Sequence, residues 1–218
     1  KPIDESLKAH LPDIAPRCVM MENITNPKQI WDLALRGDTF PDTHFTGKRI
    51  LTIGRIGEQK GLDLVVPVLK RLREENCDVR WYVLGDGDAE YKTKLSEMLL
   101  DAGVADMMLF LGTTTNPYSY LRDCDIYAQP SRHEGKPISV EEAKIMYKPI
   151  LATKYLSAPE QLEGGDLGVL CDISSDGIYN GIKQLLDSPK LCDRLTENLA
   201  KKKSGNSGEI EKFYDMLK

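Results

Sequence analysis

The chain is short of histidine and tryptophan, with three His and two Trp in 218 residues, and its five cysteines stand far apart with no C-x-x-C among them. It therefore offers no paired imidazoles and no zinc-type thiol cluster, and no metal site built on either is expected. An odd, scattered set (Cys18, Cys77, Cys124, Cys171, Cys192) suits reduced, mostly buried thiols in a cytoplasmic protein better than a disulfide frame. Long apolar runs are missing: a stretch such as 107–111 is far from the about 20 residues that span a bilayer. No secretory leader opens the chain, which begins Lys1-Pro2-Ile3-Asp4-Glu5. A basic excess is missing too. The 29 Lys+Arg face 34 Asp+Glu, a net charge of −5, which excludes a non-specific nucleic-acid binder while leaving room for a local anion site. There is also no initial Met, which fits a piece of a longer protein.

What is present is ordinary globular material, 41% apolar and 29% charged, long enough for one large domain with its own core. Residues 1–27 carry four prolines and no sustained period, and read as a lead-in with one short strand near 18–21. A helix is expected at 27–36 and a polar loop at 37–48. Strands then alternate with helices: strands at 49–53, 79–84, 107–111, 126–129, 149–152 and 168–171, and helices at 62–75, 89–102, 118–122 and 138–146. Pro67 predicts a late start or a kink in the 62–75 helix. Helices at 178–186 and 191–202 follow, then a Ser/Gly-rich break and a last helix at 208–218. Such alternation predicts an α/β class, a doubly wound Rossmann-like parallel sheet, whose ligands bind beyond the carboxyl ends of its strands.

Three of the loops after strands hold candidate chemistry. The first, Gly54-Arg55-Ile56-Gly57-Glu58-Gln59-Lys60-Gly61, sets two cations five residues apart at a helix N-terminus. Backbone N–H groups and the helix dipole favour an anion there. A phosphate clamp and a solvated turn fit that spacing equally well, and the run is not a P-loop. The second, Gly85-Asp86-Gly87-Asp88-Ala89-Glu90, starts like a dinucleotide fingerprint but has Glu90 in place of the third glycine and carboxylates that repel a pyrophosphate. It reads as a tight turn. The third runs from Pro130 to Ala143. Glu134 follows a strand, Gly135 allows close backbone approach, Pro137 suits a first helical turn, and Glu142 lies about one turn into the helix. Two carboxylates facing one crevice would accept hydrogen bonds from a polyol. The alternative makes Glu134 a surface residue and Glu142 half of an ion pair, yet Lys144 and Lys148 lie off its face. His133 is read as a solvated loop residue, and Trp31 and Trp81 as core.

In order along the chain stand Ile53-Gly54-Arg55 with Lys60-Gly61, Tyr82-Val83-Leu84-Gly85-Asp86-Gly87, Phe110-Leu111-Gly112, Asp125 to Ser131, and the Glu-x7-Glu pair Glu134 and Glu142. This set resembles the C-terminal, donor-binding half of retaining GT-B glycosyltransferases, the group one or family-four type, from about Met20 onward. The resemblance implies that Arg55 and Lys60 bind the diphosphate of a nucleotide-sugar and that Glu134 holds the sugar hydroxyls, these three being the catalytic set. It implies that Glu142 holds the ribose, that backbone N–H groups around Lys136–Val140, a stretch with Pro137, Ile138 and Ser139, meet the phosphates beside Gly135, and that the loop Gly112–Thr114, with Gly112 and Thr113, borders the base. Two cations and a helix N-terminus would stabilise the departing diphosphate, so neither metal nor cofactor is implied. Lys136 departs from the family, where an apolar or aromatic residue is common.

By the same resemblance, residues 1–27 are the tail of an N-terminal domain and an interdomain link, with Asn23–Pro27 as the hinge, and 28–218 form the donor domain. The acceptor would lie on that other domain, the isolated chain would be inactive, and its last helix would cross back toward the missing half. Polysaccharide synthesis, with peripheral membrane association of the full enzyme, is the implied setting. Two other readings stand beside it: a GT-B-shaped nucleotide-sugar epimerase or phosphorylase relative, and a non-catalytic Rossmann-like interaction module.

Overall fold

The computed structural model describes residues 9–10, 13, 23–202, 205 and 209–216, so the strand expected near 18–21 lies outside the described residues. The chain divides into two compact units, residues 1–26 with 205–218, and residues 27–204. The described part of the first contains a helix over Glu209–Met216.

The second unit carries the sheet. Helix α1 (Pro27–Ala34) precedes β1 (Lys48–Ile53), α2 (Leu62–Glu74), β2 (Val79–Leu84), α3 (Ala89–Asp101), β3 (Met108–Gly112), α4 (Tyr118–Asp123) and β4 (Ile126–Gln129). Then follow α5 (Ile138–Ile145), β5 (Ile150–Thr153), α6 (Ala158–Gln161), β6 (Val169–Cys171), α7 (Ser175–Asp187) and α8 (Pro189–Lys202). All pairings are parallel, in the order β3-β2-β1-β4-β5-β6. This is the doubly wound Rossmann-like fold. Among the described residues no helix is long and apolar enough to cross a membrane.

Successive residues of a strand face opposite sides of the sheet, so each strand feeds two cores. Ile50, Trp81, Val83 and Ile126 pack with Val65 and Leu69 of α2, Leu95 of α3 and Ile178 and Ile182 of α7. Leu51, Tyr82, Leu84 and Tyr127 face the other way, against Ile30 and Ala34 of α1, Leu121 of α4 and Val140 and Ala143 of α5. Burial on both sides explains why the strands read as continuous apolar runs.

Three local outcomes differ from the periodicity. Helix α2 runs unbroken through Pro67, because Leu62, Val65, Val66, Val68, Leu69 and Leu72 are all buried and hold it to the sheet. Helix α7 begins at Ser175, before the apolar period starts, since the Ser174 hydroxyl accepts the Gly177 N–H at 3.0 Å and caps a polar first turn. The short α6 had no apolar period long enough to mark it.

Candidate functional site

Strand order reverses at β1, which pairs with β2 on one side and β4 on the other, and the crevice at such a switch point is where a ligand fits. The loops after β1 and β4 meet there. Gly61 takes a left-handed φ of 65° to pass from the turn Glu58–Lys60 into α2, and a Cβ on it would lie 2.2 Å from the Pro130 carbonyl oxygen. Gly54 has φ +146°, and a Cβ there would lie 2.5 Å from Lys60 Cε and 2.6 Å from its Nζ. The Lys60 side chain therefore lies folded across bare backbone.

Its ammonium donates to Glu134 Oε1 at 2.8 Å, with the two side chains only 13% and 11% exposed. The same oxygen accepts from Gln129 Nε2 at 2.9 Å and from the Ser131 hydroxyl at 2.8 Å. Behind them, the buried Tyr127 hydroxyl donates to Gln129 Oε1 at 2.6 Å and lies 2.8 Å from Ser139 Oγ. Glu134 is thus held by one cation and a relay of neutral groups from the end of β4, and is no free surface residue. Arg55, in contrast, is exposed and makes no hydrogen bond or ion pair with any described residue. Of the two expected cations, one is engaged in the crevice and one stands free at its edge.

Helix α5 starts one residue later than a proline-led turn: Pro137 is its N-cap in extended backbone (φ −65°, ψ 124°), and no side chain caps the N-terminus. The Pro137 carbonyl accepts from the buried Gln161 Nε2 at 3.0 Å, which ties the helix entry to α6. Gly135 has open space around the position of a Cβ and no positive φ, so the fold itself does not demand glycine there. Lys136 and Ile138 are exposed, and the side chain of Ser139 is turned toward Tyr127.

Glu142 sits partly buried on α5. Its Oε1 accepts from the Tyr118 hydroxyl at 2.9 Å, and no cation pairs with it among the described residues. Lys144 pairs with Glu141 at 3.0 Å, and Lys148 donates to the Arg122 and Cys124 carbonyls. Burial pushes the Glu142 carboxyl above its ordinary value, and the Tyr118 hydrogen bond only partly offsets this. Burial, then the neighbouring Glu142, pushes the Tyr118 hydroxyl up to about 12. The two glutamates thus meet different partners, Glu134 from its loop at the β1 loop and Glu142 from helix α5 at the segment after β3. Gly112 ends β3 with φ +73°, and Thr113 is exposed beside it.

The second loop is a packing device. A Cβ on Gly87 would lie 2.0 Å from the Ile56 carbonyl oxygen, while Asp86 pairs with Lys92 at 2.6 Å and Asp88 caps α3 by accepting the Tyr91 N–H at 2.7 Å. Both carboxylates are committed to structure. The residues missed from sequence are Gln129, Ser131 and Tyr118. Polar side chains at the end of an apolar strand were a usable signal for the first two; Tyr118 carried none.

Residues 41–202 match the family described as "Glycosyl transferases group 1". The N-acetylgalactosamine-N,N'-diacetylbacillosaminyl-diphospho-undecaprenol 4-alpha-N-acetylgalactosaminyltransferase of Campylobacter jejuni is 26% identical over 208 residues, 94% of this chain and 54% of that one. The chain spans about half or less of the length of the curated relatives it matches, from 54% down to 36%. Among solved structures, Anabaena HepE with UDP and glucose superposes with a TM-score of 0.74 at 20% identity, over 88% of this chain and 52% of that one. The C-terminal domain of a group 1 glycosyl transferase (LpcC) from Francisella tularensis gives a TM-score of 0.64 at 22% identity, over 89% of this chain and 95% of that domain. The architecture is accordingly that of the C-terminal Rossmann-like half of a GT-B glycosyltransferase, and the chain belongs to the group 1 glycosyl transferases.

Proposed function

We propose that this chain is the donor-binding domain of a retaining, metal-independent glycosyltransferase, whose acceptor is held by an N-terminal domain outside residues 28–218. The observation that carries the reading is the Lys60–Glu134 pair at the switch point, folded across Gly54 and beside the uncapped N-terminus of α5. A diphosphate laid there meets Lys60, the free guanidinium of Arg55 and the N–H groups that open α5. These are groups that stabilise negative charge developing on a leaving nucleoside diphosphate. Glu134 accepts hydroxyls of the sugar, Glu142 accepts those of the ribose, and Gly112 and Thr113 border the base. Lys60 bridges the two tasks, since it can leave Glu134 Oε1 for a phosphate oxygen while Gln129 and Ser131 keep that carboxylate in place. The complex of the structural neighbour HepE with UDP and glucose agrees with a nucleotide-sugar donor.

Isothermal calorimetry with UDP, GDP and ADP tests this directly. One nucleoside diphosphate is expected to bind, and the Arg55→Ala/Lys60→Ala double variant to lose about a hundredfold in affinity, two charge-assisted contacts at about tenfold each. Equal binding by both proteins, or no binding of any nucleotide, sinks the proposal.

A further inference from the structure

The loops that carry Lys60 and Glu134 are joined by a second set of contacts that touches neither residue. Arg132, two positions before Glu134, forks onto Asp63 at the start of α2, with Nη1 donating to Oδ1 at 2.7 Å and Nη2 to Oδ2 at 2.6 Å. Nη1 also donates to the Glu58 carbonyl at 2.8 Å, and the Arg132 N–H donates to the Gln59 carbonyl at 2.8 Å. In return Gln59 Nε2 donates to the His133 carbonyl at 2.7 Å. From α3, the Tyr91 hydroxyl donates to Asp63 Oδ1 at 2.8 Å. Arg132 and Asp63 are 26% and 25% exposed, and a bidentate fork of that kind fixes orientation as well as distance. Burial alone would raise the Asp63 carboxyl, but the bonds from Arg132 and Tyr91 outweigh it and hold it below its ordinary value.

The placement has a consequence. Glu58 and Gln59 immediately precede Lys60, Asp63 follows it by three, and Arg132 and His133 immediately precede Glu134. The bonds of Arg132 and of Gln59 therefore limit how far the Lys60 turn can separate from the Glu134 loop, and Tyr91 holds Asp63 in place for the fork. We propose that Arg132 is a positioning residue, which with Asp63 and Tyr91 staples the two loops and holds Lys60 in register for a diphosphate. The staple rests on the donor-binding reading for its purpose, and on the geometry alone for its existence.

The test uses the whole chain in two arms. In the first, amide hydrogen exchange of the ligand-free protein compares wild type with Arg132→Ala and Arg132→Lys. Residues 57–61 and 131–135 are expected to exchange about tenfold faster in Arg132→Ala, with α7 and α8 unchanged, as local opening predicts. Arg132→Lys, which keeps the charge but not the fork, should recover only part of the protection. Unchanged exchange in both loops overturns the staple. In the second arm, calorimetry compares UDP with UMP, which lacks the second phosphate, or GDP with GMP or ADP with AMP, whichever diphosphate the wild type binds. Arg132→Ala should lower diphosphate affinity about tenfold and monophosphate affinity less than about threefold, and adding Lys60→Ala to it should cost far less than in wild type. Equal losses for the two nucleotides would reduce Arg132 to a purely structural residue and overturn the positioning role. If wild type binds no nucleoside diphosphate, the donor reading and the staple's purpose both fall, while the exchange arm still decides whether the loops are stapled.

Discussion

Lys60 is worth removing for what it does to the protein in the absence of any ligand. Its ammonium is one of three donors to Glu134 Oε1, and the two side chains are 13% and 11% exposed. Deleting one partner of a fully buried pair costs about 3–5 kcal/mol, because a charge is stranded in low dielectric. Here the Gln129 and Ser131 bonds survive and some water reaches the crevice, so Lys60→Met should cost less, about 2–3 kcal/mol. For a domain of this size that is a fall in Tm of about 4–12 °C. Glu134→Gln strands the less costly partner, since an amide oxygen still accepts from Gln129 and Ser131, and should cost about 1–2 kcal/mol. The double variant leaves no stranded charge and should recover at least about 1 kcal/mol of the sum. Urea unfolding followed by circular dichroism at low and high salt measures the cycle. The coupling should persist in salt, as a pair shielded from solvent is screened weakly. Additive single effects, or a coupling that salt abolishes, would refute the claim that this pair is a buried, structurally engaged element.

Three further outcomes follow from neighbouring residues. Arg55→Ala, at an exposed side chain with no partner among the described residues, should leave stability within about 0.5 kcal/mol while lowering about tenfold the affinity for the nucleoside diphosphate that binds, an effect that shrinks with salt in calorimetry. Gly54→Ala meets both a φ of +146° and the Lys60 side chain, and should cost about 1–3 kcal/mol in urea unfolding and weaken nucleoside-diphosphate binding as well. For Glu142 the sign is reversed relative to a salt-bridged carboxylate. Its folded pKa is raised, so the folded chain holds the proton more tightly, and stability declines as pH rises from the unfolded value of about 4.3 through the folded one. Glu142→Gln should therefore raise stability at pH 7, a gain that disappears below about pH 4, as read from melts across pH 3.5–8. A difference that does not change with pH would refute it.

The parallel sheet was readable because its strands are buried on both faces: Ile50 and Leu51, or Trp81 and Tyr82, point to opposite cores and leave an apolar run bounded by turn residues. The locations of Lys60, Glu134 and Glu142 were readable too, since polar chemistry at strand ends has few other places to go in such a fold. Their partners were not. Whether Lys60 reaches Glu134 depends on Gly54 having no side chain and on Gly61 lying against Pro130, contacts between residues far apart in sequence. The Tyr118–Glu142 bond spans two helices, and the Arg132–Asp63 fork joins two loops, so no local period reports either. Pro67 shows the converse: a local breaker signal was overridden by six buried side chains along α2.

The two glutamates hold opposite environments, and the difference bears on how one site can recognise both ends of a nucleotide-sugar. Glu134 is neutralised by Lys60 and fully bonded at Oε1, so its charge is satisfied before anything binds. Among the described residues Glu142 has a single neutral donor, and burial works against its charge. A carboxylate is harder to bury there than Gln would be, and hydroxyls of a ligand would complete its hydrogen bonds under the donor-binding proposal. Under the donor-binding reading, a ribose relieves Glu142 directly. A diphosphate acts on Glu134 indirectly, by drawing Lys60 away and exposing Oε1 to a sugar hydroxyl. The two halves of the ligand would then contribute unequally. Glu142→Gln should weaken the nucleoside monophosphate and diphosphate alike, whereas Lys60→Ala should weaken the diphosphate and leave the monophosphate nearly untouched, and calorimetry with both nucleotides distinguishes these patterns. Parallel losses in both variants would show that the carboxylates share one subsite and would refute this division of labour.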